Sequence, residues 1–187
     1  MIKTIKYSKD VDLEKELARS QFSYDDVNET VESILKDVRA RGDKALIEYT
    51  EKFDGVKLEN LEVTEEEIQK AFDTIDKELL EVIQYSHDNI KKFHEKQVRN
   101  DFLIRQENGV VLGQVINPIE KVGLYVPGGT AAYPSTVLMN AVPAKIAGCK
   151  EIVMVTPPTK DGSILPSLLV AAKISGVDRI FKVGGAQ

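Results

Sequence analysis

The sequence predicts an α/β protein: a charged helical N-terminal region with a β-hairpin, then a β-α-β-α-β parallel half-sheet. Three observations carry that prediction. First, composition changes after Ile119. Residues 1–119 hold 18 Lys/Arg and 26 Asp/Glu with four glycines and one proline, whereas residues 120–187 hold 7 Lys/Arg and 4 Asp/Glu with eight glycines and six prolines. Charged stretches with few breakers suit helices that keep one wet face, and Gly/Pro-punctuated apolar runs suit buried strands joined by turns. Second, apolar residues in the first part recur at helical spacing. Third, the apolar strands of the second part start roughly 29 residues apart, near the repeat of a βαβ unit.

In the first part, Ser23 is the expected N-cap of a helix carrying Val27, Val31, Ile34, Leu35 and Val38 on one face. Gly42 is its expected C′ stop, and a shorter helix through Ala45, Leu46 and Tyr49 follows. Thr64 with Glu67 matches a capping box. It is expected to open one long helix, with Ile68, Phe72, Ile75, Leu79, Val82, Ile83, Ile90 and Phe93 as its apolar positions. Phe102 to Gln106, the Asn108-Gly109 turn and Val110 to Ile116 read as a β-hairpin that Pro118 ends.

The second part reads as strand 122–126, a Gly/Pro loop, a helix from about Ser135 to Ala147, strand 152–155, a helix from about Leu165 to Ser175, and strand 179–183. Continuous apolar strands alternating with helices imply a parallel sheet covered on both faces, the size of a mononucleotide-binding half.

The same arithmetic narrows the function classes. No apolar run reaches the ~20 residues of a membrane span, and the first residues lack the apolar stretch of a signal peptide. A single cysteine, Cys149, leaves no internal disulfide framework or multi-cysteine zinc site. A net charge of −5 without a concentrated basic stretch speaks against nucleic-acid binding. A soluble, cytoplasmic protein is expected.

In open α/β sheets, ligands gather at the carboxyl ends of the strands. Here those ends are Pro127-Gly128-Gly129-Thr130, Thr156-Pro157-Pro158 and Gly184-Gly185-Ala186-Gln187. Glycine lets a ligand approach the backbone, although Gly and Pro also simply make tight turns. Ser135 and Thr136 open a helix whose free N–H groups suit an anion such as phosphate. Tyr125, two residues before the first loop, can lay its ring beside a ligand or merely pack. Gly-x-Gly-x-x-Gly and the Walker loop are both absent, and no acidic residue ends the second strand to hold a ribose.

Other candidates read as structural. His87 and His94 are seven residues apart, too far for the usual i, i+4 metal pair, and suit solvated or capping roles. Cys149 suits a small buried hydrophobe, and Glu65-Glu66-Glu67 complements a helix N-terminus.

The run Val122-Gly-Leu-Tyr-Val-Pro-Gly-Gly-Thr130, followed by Pro134-Ser-Thr-Val-Leu-Met-Asn-Ala-Val-Pro-Ala-Lys-Ile-Ala-Gly-Cys149, closely resembles histidinol dehydrogenases. So do Thr156-Pro-Pro158, Ala171-Ala-Lys-Ile-Ser-Gly-Val-Asp178 and Val183-Gly-Gly-Ala-Gln187, and, in layout, Arg39-Ala-Arg41-Gly-Asp43-Lys-Ala-Leu and Thr50-Glu-Lys-Phe-Asp54. The resemblance implies a Rossmann-like, aldehyde-dehydrogenase-like fold that lacks the glycine fingerprint. It implies two successive NAD-dependent oxidations, from L-histidinol through the aldehyde to L-histidine, the last step of histidine biosynthesis. It also implies a zinc-containing homodimer. By match to the family's motifs, Tyr125 and Gln187 would contact NAD, with Gly128 and Gly129 alongside.

The family chain is more than twice as long as this one. Its zinc ligands (a glutamine, two histidines and an aspartate), its general-base glutamate–histidine pair and its histidinol contacts lie beyond the stretch matched here. Neither His87 nor His94 takes a matching position. The expectation is therefore the N-terminal portion of such an enzyme, inactive alone, without catalytic or metal-binding residues, and prone to self-association through an open sheet edge. Two other readings stay open: a related zinc/NAD alcohol dehydrogenase with another small substrate, or a short non-catalytic binding or assembly module.

Overall fold

The computed structural model describes Ser8, residues 25–128 and residues 132–185. Its elements are α1 (Asp25–Arg41), α2 (Asp43–Asp54), α3 (Glu65–Thr74), α4 (Lys77–His94), a 3₁₀ turn (Glu95–Gln97), β1 (Phe102–Arg105), β2 (Val111–Gln114), β3 (Lys121–Tyr125), α5 (Pro134–Ala147), β4 (Glu151–Thr156), α6 (Pro166–Ser175) and β5 (Arg179–Lys182). The protein is α/β. β1 and β2 form an antiparallel hairpin, and β3, β4 and β5 form a parallel sheet in that order.

The expected N-cap Ser23 lies outside the described residues. Gly42 ends α1 as expected: its N–H bonds the Val38 carbonyl at 2.8 Å, and its φ of 59° is open to glycine. The expected packing face of α1 is instead half open, with Val27, Val31 and Leu35 exposed.

The capping box at Thr64 and Glu67 forms in full, each side chain bonding the other's backbone N–H. The single long helix expected after it does not form. Ile75 leaves helical geometry at ψ 144°, and Asp76 caps a new helix by accepting the Leu79 N–H at 3.1 Å. Aspartate competes well for an exposed backbone N–H, so it starts α4 here instead of continuing α3. The break lets α3 pack on α6 while α4 lies across both α5 and α6.

In the sheet, Leu124, Met154 and Ile180 share one row, and Tyr125, Val155 and Phe181 share the row on the opposite face. The first face is covered over β4 and β5 and half-buried at Val122 and Leu124 of β3. Ile152, Met154 and Ile180 pack against Val137, Leu138 and Ala141 of α5 and Leu168 to Ala172 of α6 in one core, which Ala71 of α3 and Ile83 of α4 extend. The second face is covered only in part, which corrects the expectation of two covered faces. Val155 and Phe181 meet Val56, Leu58, Leu61 and Val183, with Leu46 and Ile47 of α2 behind them. The strands alternate in burial accordingly, β4 between buried and half-buried positions.

The outer edge of β5 is paired. Val63 N–H bonds the Ile180 carbonyl at 2.9 Å, and Lys182 N–H bonds the Leu61 carbonyl at 2.7 Å, so residues 61–63 run antiparallel to β5. Arg179 holds Glu62 through two hydrogen bonds of 2.8 and 2.9 Å. Lys182 is buried against Glu67 of α3 at 2.6 Å. Helices and segments from the acidic half of the sequence are thus built directly onto the sheet of the other half.

Candidate functional site

The site is the carboxyl end of β3, β4 and β5, and local chemistry decides its shape. β4 must stop where Pro157 and Pro158 remove two ladder donors. Pro157 then fills the space between the other two strand ends. A Cβ on Gly128 would lie 2.8 Å from Pro157 Cγ and 3.1 Å from its carbonyl oxygen, and one on Gly184 would lie 2.7 Å from Pro157 Cβ. Neither glycine has positive φ, so backbone strain is not what requires them. Their small size lets three strand ends close on one proline ring.

The second flank of this end comes from α2. The same Gly184 position is crowded by Asp54, whose two carboxylate oxygens would each lie 2.9 Å from an added Cβ, and a Cβ on Gly185 would lie 3.4 Å from the Phe53 ring. Phe53 stacks on Tyr49 with centroids 5.5 Å apart and remains exposed. Asp54 Oδ2 is buried without a hydrogen-bond partner, as are Thr50 Oγ1, one turn earlier on α2, and Thr156 Oγ1 at the end of β4. Leaving such a group unpaired costs about 1–3 kcal/mol. Burial accordingly pushes the Asp54 carboxyl above its ordinary value.

Tyr125 ends β3 on the face shared with Val155 and Phe181, the face that α2 flanks, and is 49% exposed. Beyond it, α5 begins at Pro134 after Tyr133, with no side-chain cap and no acidic residue in its first turn. The helix's positive end lies at Ser135, whose N–H faces this end, whereas the Thr136 N–H bonds the Tyr133 carbonyl at 3.0 Å. Gly129 and Gln187 lie outside the described residues, so of the four sequence candidates Tyr125 and Gly128 are the two that can be located.

The remaining candidates are structural. His87 Nδ1 meets Asp88 Oδ1 at 2.8 Å with its ring largely covered, and His94 Nδ1 meets Gln97 Oε1 at 2.6 Å beside the end of α4. Cys149 is buried in the main core. Of the acidic trio, Glu65 pairs with Lys173 at 2.7 Å and Glu67 serves both the cap and Lys182. Among the described residues, no three His, Cys, Asp or Glu side chains converge as a metal site. No described helix is long and apolar enough to cross a membrane.

Sequence reasoning missed Asp54 and the 56–63 segment. The alternation Val56-Lys57-Leu58 and Leu61-Glu62-Val63 is a strand signal that could have found the segment. Nothing local marks Asp54, because its neighbours at the site are more than 100 residues away in sequence.

Fold and site define the class first: an α/β protein with a β-α-β-α-β parallel sheet, whose carboxyl end is closed by glycine loops and flanked by a buried carboxylate. The family model for histidinol dehydrogenase matches residues 17–187. A histidinol dehydrogenase from Clostridium acetobutylicum is 53% identical over 162 residues, covering 87% of this chain and 38% of that protein. One from Methanocaldococcus jannaschii is 49% identical over 188 residues, covering 100% of this chain and 44% of that protein. The crystal structure of histidinol dehydrogenase from Elizabethkingia anophelis superposes with a TM-score of 0.84 at 39% identity, covering 91% of this chain and 39% of that one. The chain belongs to the histidinol dehydrogenase family, and it spans about two fifths of the length of the relatives it matches.

Proposed function

We propose that this chain supplies the nucleotide-binding part of a histidinol dehydrogenase, which oxidises L-histidinol to L-histidine through the aldehyde with NAD. The observation that carries this reading is the carboxyl end of the parallel sheet. There the Gly128 and Gly184 loops close around Pro157 beneath an exposed Tyr125. The sheet order supports it. Read as β5-β4-β3, it is the 3-2-1 half of a doubly wound Rossmann-like sheet, in which dinucleotides bind at the carboxyl ends beside the first strand. A further strand in the manner of an aldehyde-dehydrogenase-like fold would join the free edge of β3.

Residues 120–187 form the NAD-binding part in this reading, and residues 1–119 support it. NAD supplies the hydride acceptor when bound. Tyr125 lays its ring against the cofactor, Gly128 and Gly129 let it approach the backbone, and Gln187 donates or accepts from the third loop. The α5 N-terminus offers the Ser135 N–H and its positive dipole end to the pyrophosphate. In this reading the zinc ligands and the general base belong to the length of the relatives that this chain does not span. The holoenzyme is a cytoplasmic homodimer.

The test uses the full-length gene product. Purified enzyme should form NADH from L-histidinol and NAD, and Tyr125→Ala should weaken NAD binding about tenfold by removing a stacking surface. Residues 1–187 alone should give no turnover. Turnover by that stretch, or unchanged NAD affinity in the Tyr125 variant, would overturn the assignment.

A further inference from the structure

We infer that Asp54 is a cofactor-specificity residue: its carboxylate takes the ribose hydroxyls of the dinucleotide and disfavours a 2′-phosphate. The inference rests on the NAD-binding reading above and adds a residue from outside the sheet to that site. In a doubly wound sheet, an acidic residue after the second strand holds the ribose, and a carboxylate there repels the extra phosphate of NADP. The second strand here, β4, ends in Thr156-Pro157-Pro158 and has no such acid. The fold brings one from elsewhere. Asp54, the last residue of α2, stands with Pro157 against the same Gly184 position, where the ends of β4 and β5 meet.

The surroundings of Asp54 suit a hydroxyl donor from a ligand. Oδ2 has no hydrogen-bond partner, and among the described residues no cation pairs with the carboxylate. Oδ2 is buried while the residue as a whole is only part-buried, so the carboxylate lies just inside the surface at the ligand end of the sheet. Thr50, one turn earlier, is 1% exposed and also has an unpartnered hydroxyl, which makes this end of α2 under-satisfied as a whole. Phe53 beside Gly185 gives the same corner an exposed aromatic surface suited to a sugar or base. A purely structural aspartate would be expected to spend its acceptors on a helix cap or an ion pair, as Asp76 and Asp178 do.

The experiment measures NAD and NADP dissociation constants by calorimetry on the full-length gene product, with Asp54→Asn and Asp54→Ala, alongside melting temperatures. Asp54→Ala should raise the NAD dissociation constant about tenfold, the scale of one lost hydrogen bond to a charged acceptor. Asp54→Asn should narrow the preference for NAD over NADP, because the repelling charge is gone while the shape remains. Both variants should melt no lower than the parent, since each removes a poorly solvated charge. Unchanged affinities and preference, or an equal loss for both dinucleotides with a lower melting temperature, would overturn the inference while leaving the NAD site standing. A parent enzyme that binds neither dinucleotide would overturn the NAD reading itself, and this inference with it.

Discussion

Asp178 shows how one side chain can join three elements. Its Oδ2 accepts the Ile152 N–H at 2.8 Å, its N–H bonds the Ile152 carbonyl at 2.9 Å, and Lys145 of α5 reaches it at 3.2 Å. The turn before β5 is thereby locked to the start of β4 and to α5. Gly176, at φ 80°, completes the turn, and a Cβ there would meet Lys145 Cε at 3.0 Å. Within the Ala171–Asp178 stretch that resembles the family, then, the aspartate and glycine serve construction, not chemistry. Asp178→Ala should cost about 2 kcal/mol, because it leaves a buried backbone N–H unpaired. A urea melt of the variant with an unchanged m-value checks this.

Among the elements, the junction between α3 and α4 is the clearest case of a local signal outranked. The apolar spacing from Ile68 to Phe93 is continuous enough for one helix, but Asp76 is a strong cap and diverts the chain at Ile75. Asp76→Ala should destabilise by about 1 kcal/mol, the usual worth of an N-cap. Thermal melts of parent and variant measure it. The β1–β2 hairpin is the opposite case. It forms where expected, with strands shorter than the sequence suggested, Gln106 and Val110 bonded at 2.9 Å and Gly109 at φ 86° in the turn. Only its surroundings were illegible. Phe102, Leu103, Ile104, Val111 and Leu112 are all exposed on a two-stranded ribbon against which no described helix or sheet packs closely.

For the whole molecule, that ribbon and the outer edge of β3, which pairs with no described strand, leave an apolar surface that globular chains normally cover. Residues 1–187 should therefore self-associate at micromolar concentration, and Ile104→Lys with Leu112→Lys should shift the population toward monomer in analytical ultracentrifugation. A parent that sediments as a clean monomer would contradict this. The paired edge at β5, where residues 61–63 lie along the strand, is protected by contrast.

Most secondary elements and the parallel sheet were legible because their signals are local: strand runs near residues 122, 152 and 179, helix punctuation at Gly42, Gly148 and Gly176, and the Thr64 capping box. So were the three strand ends that make the candidate site, since a strand's end is written in its own glycines and prolines. Tertiary structure alone decided which face of the sheet is covered, that the 61–63 segment guards β5, and that Asp54 arrives beside Gly184. The last two depend on contacts across more than 100 residues, and the first on helices and segments that meet the sheet from several parts of the chain. Local backbone preference and periodicity report on a residue's neighbours in the chain, whereas burial and the company a carboxylate keeps are settled only when distant segments compete for the same space.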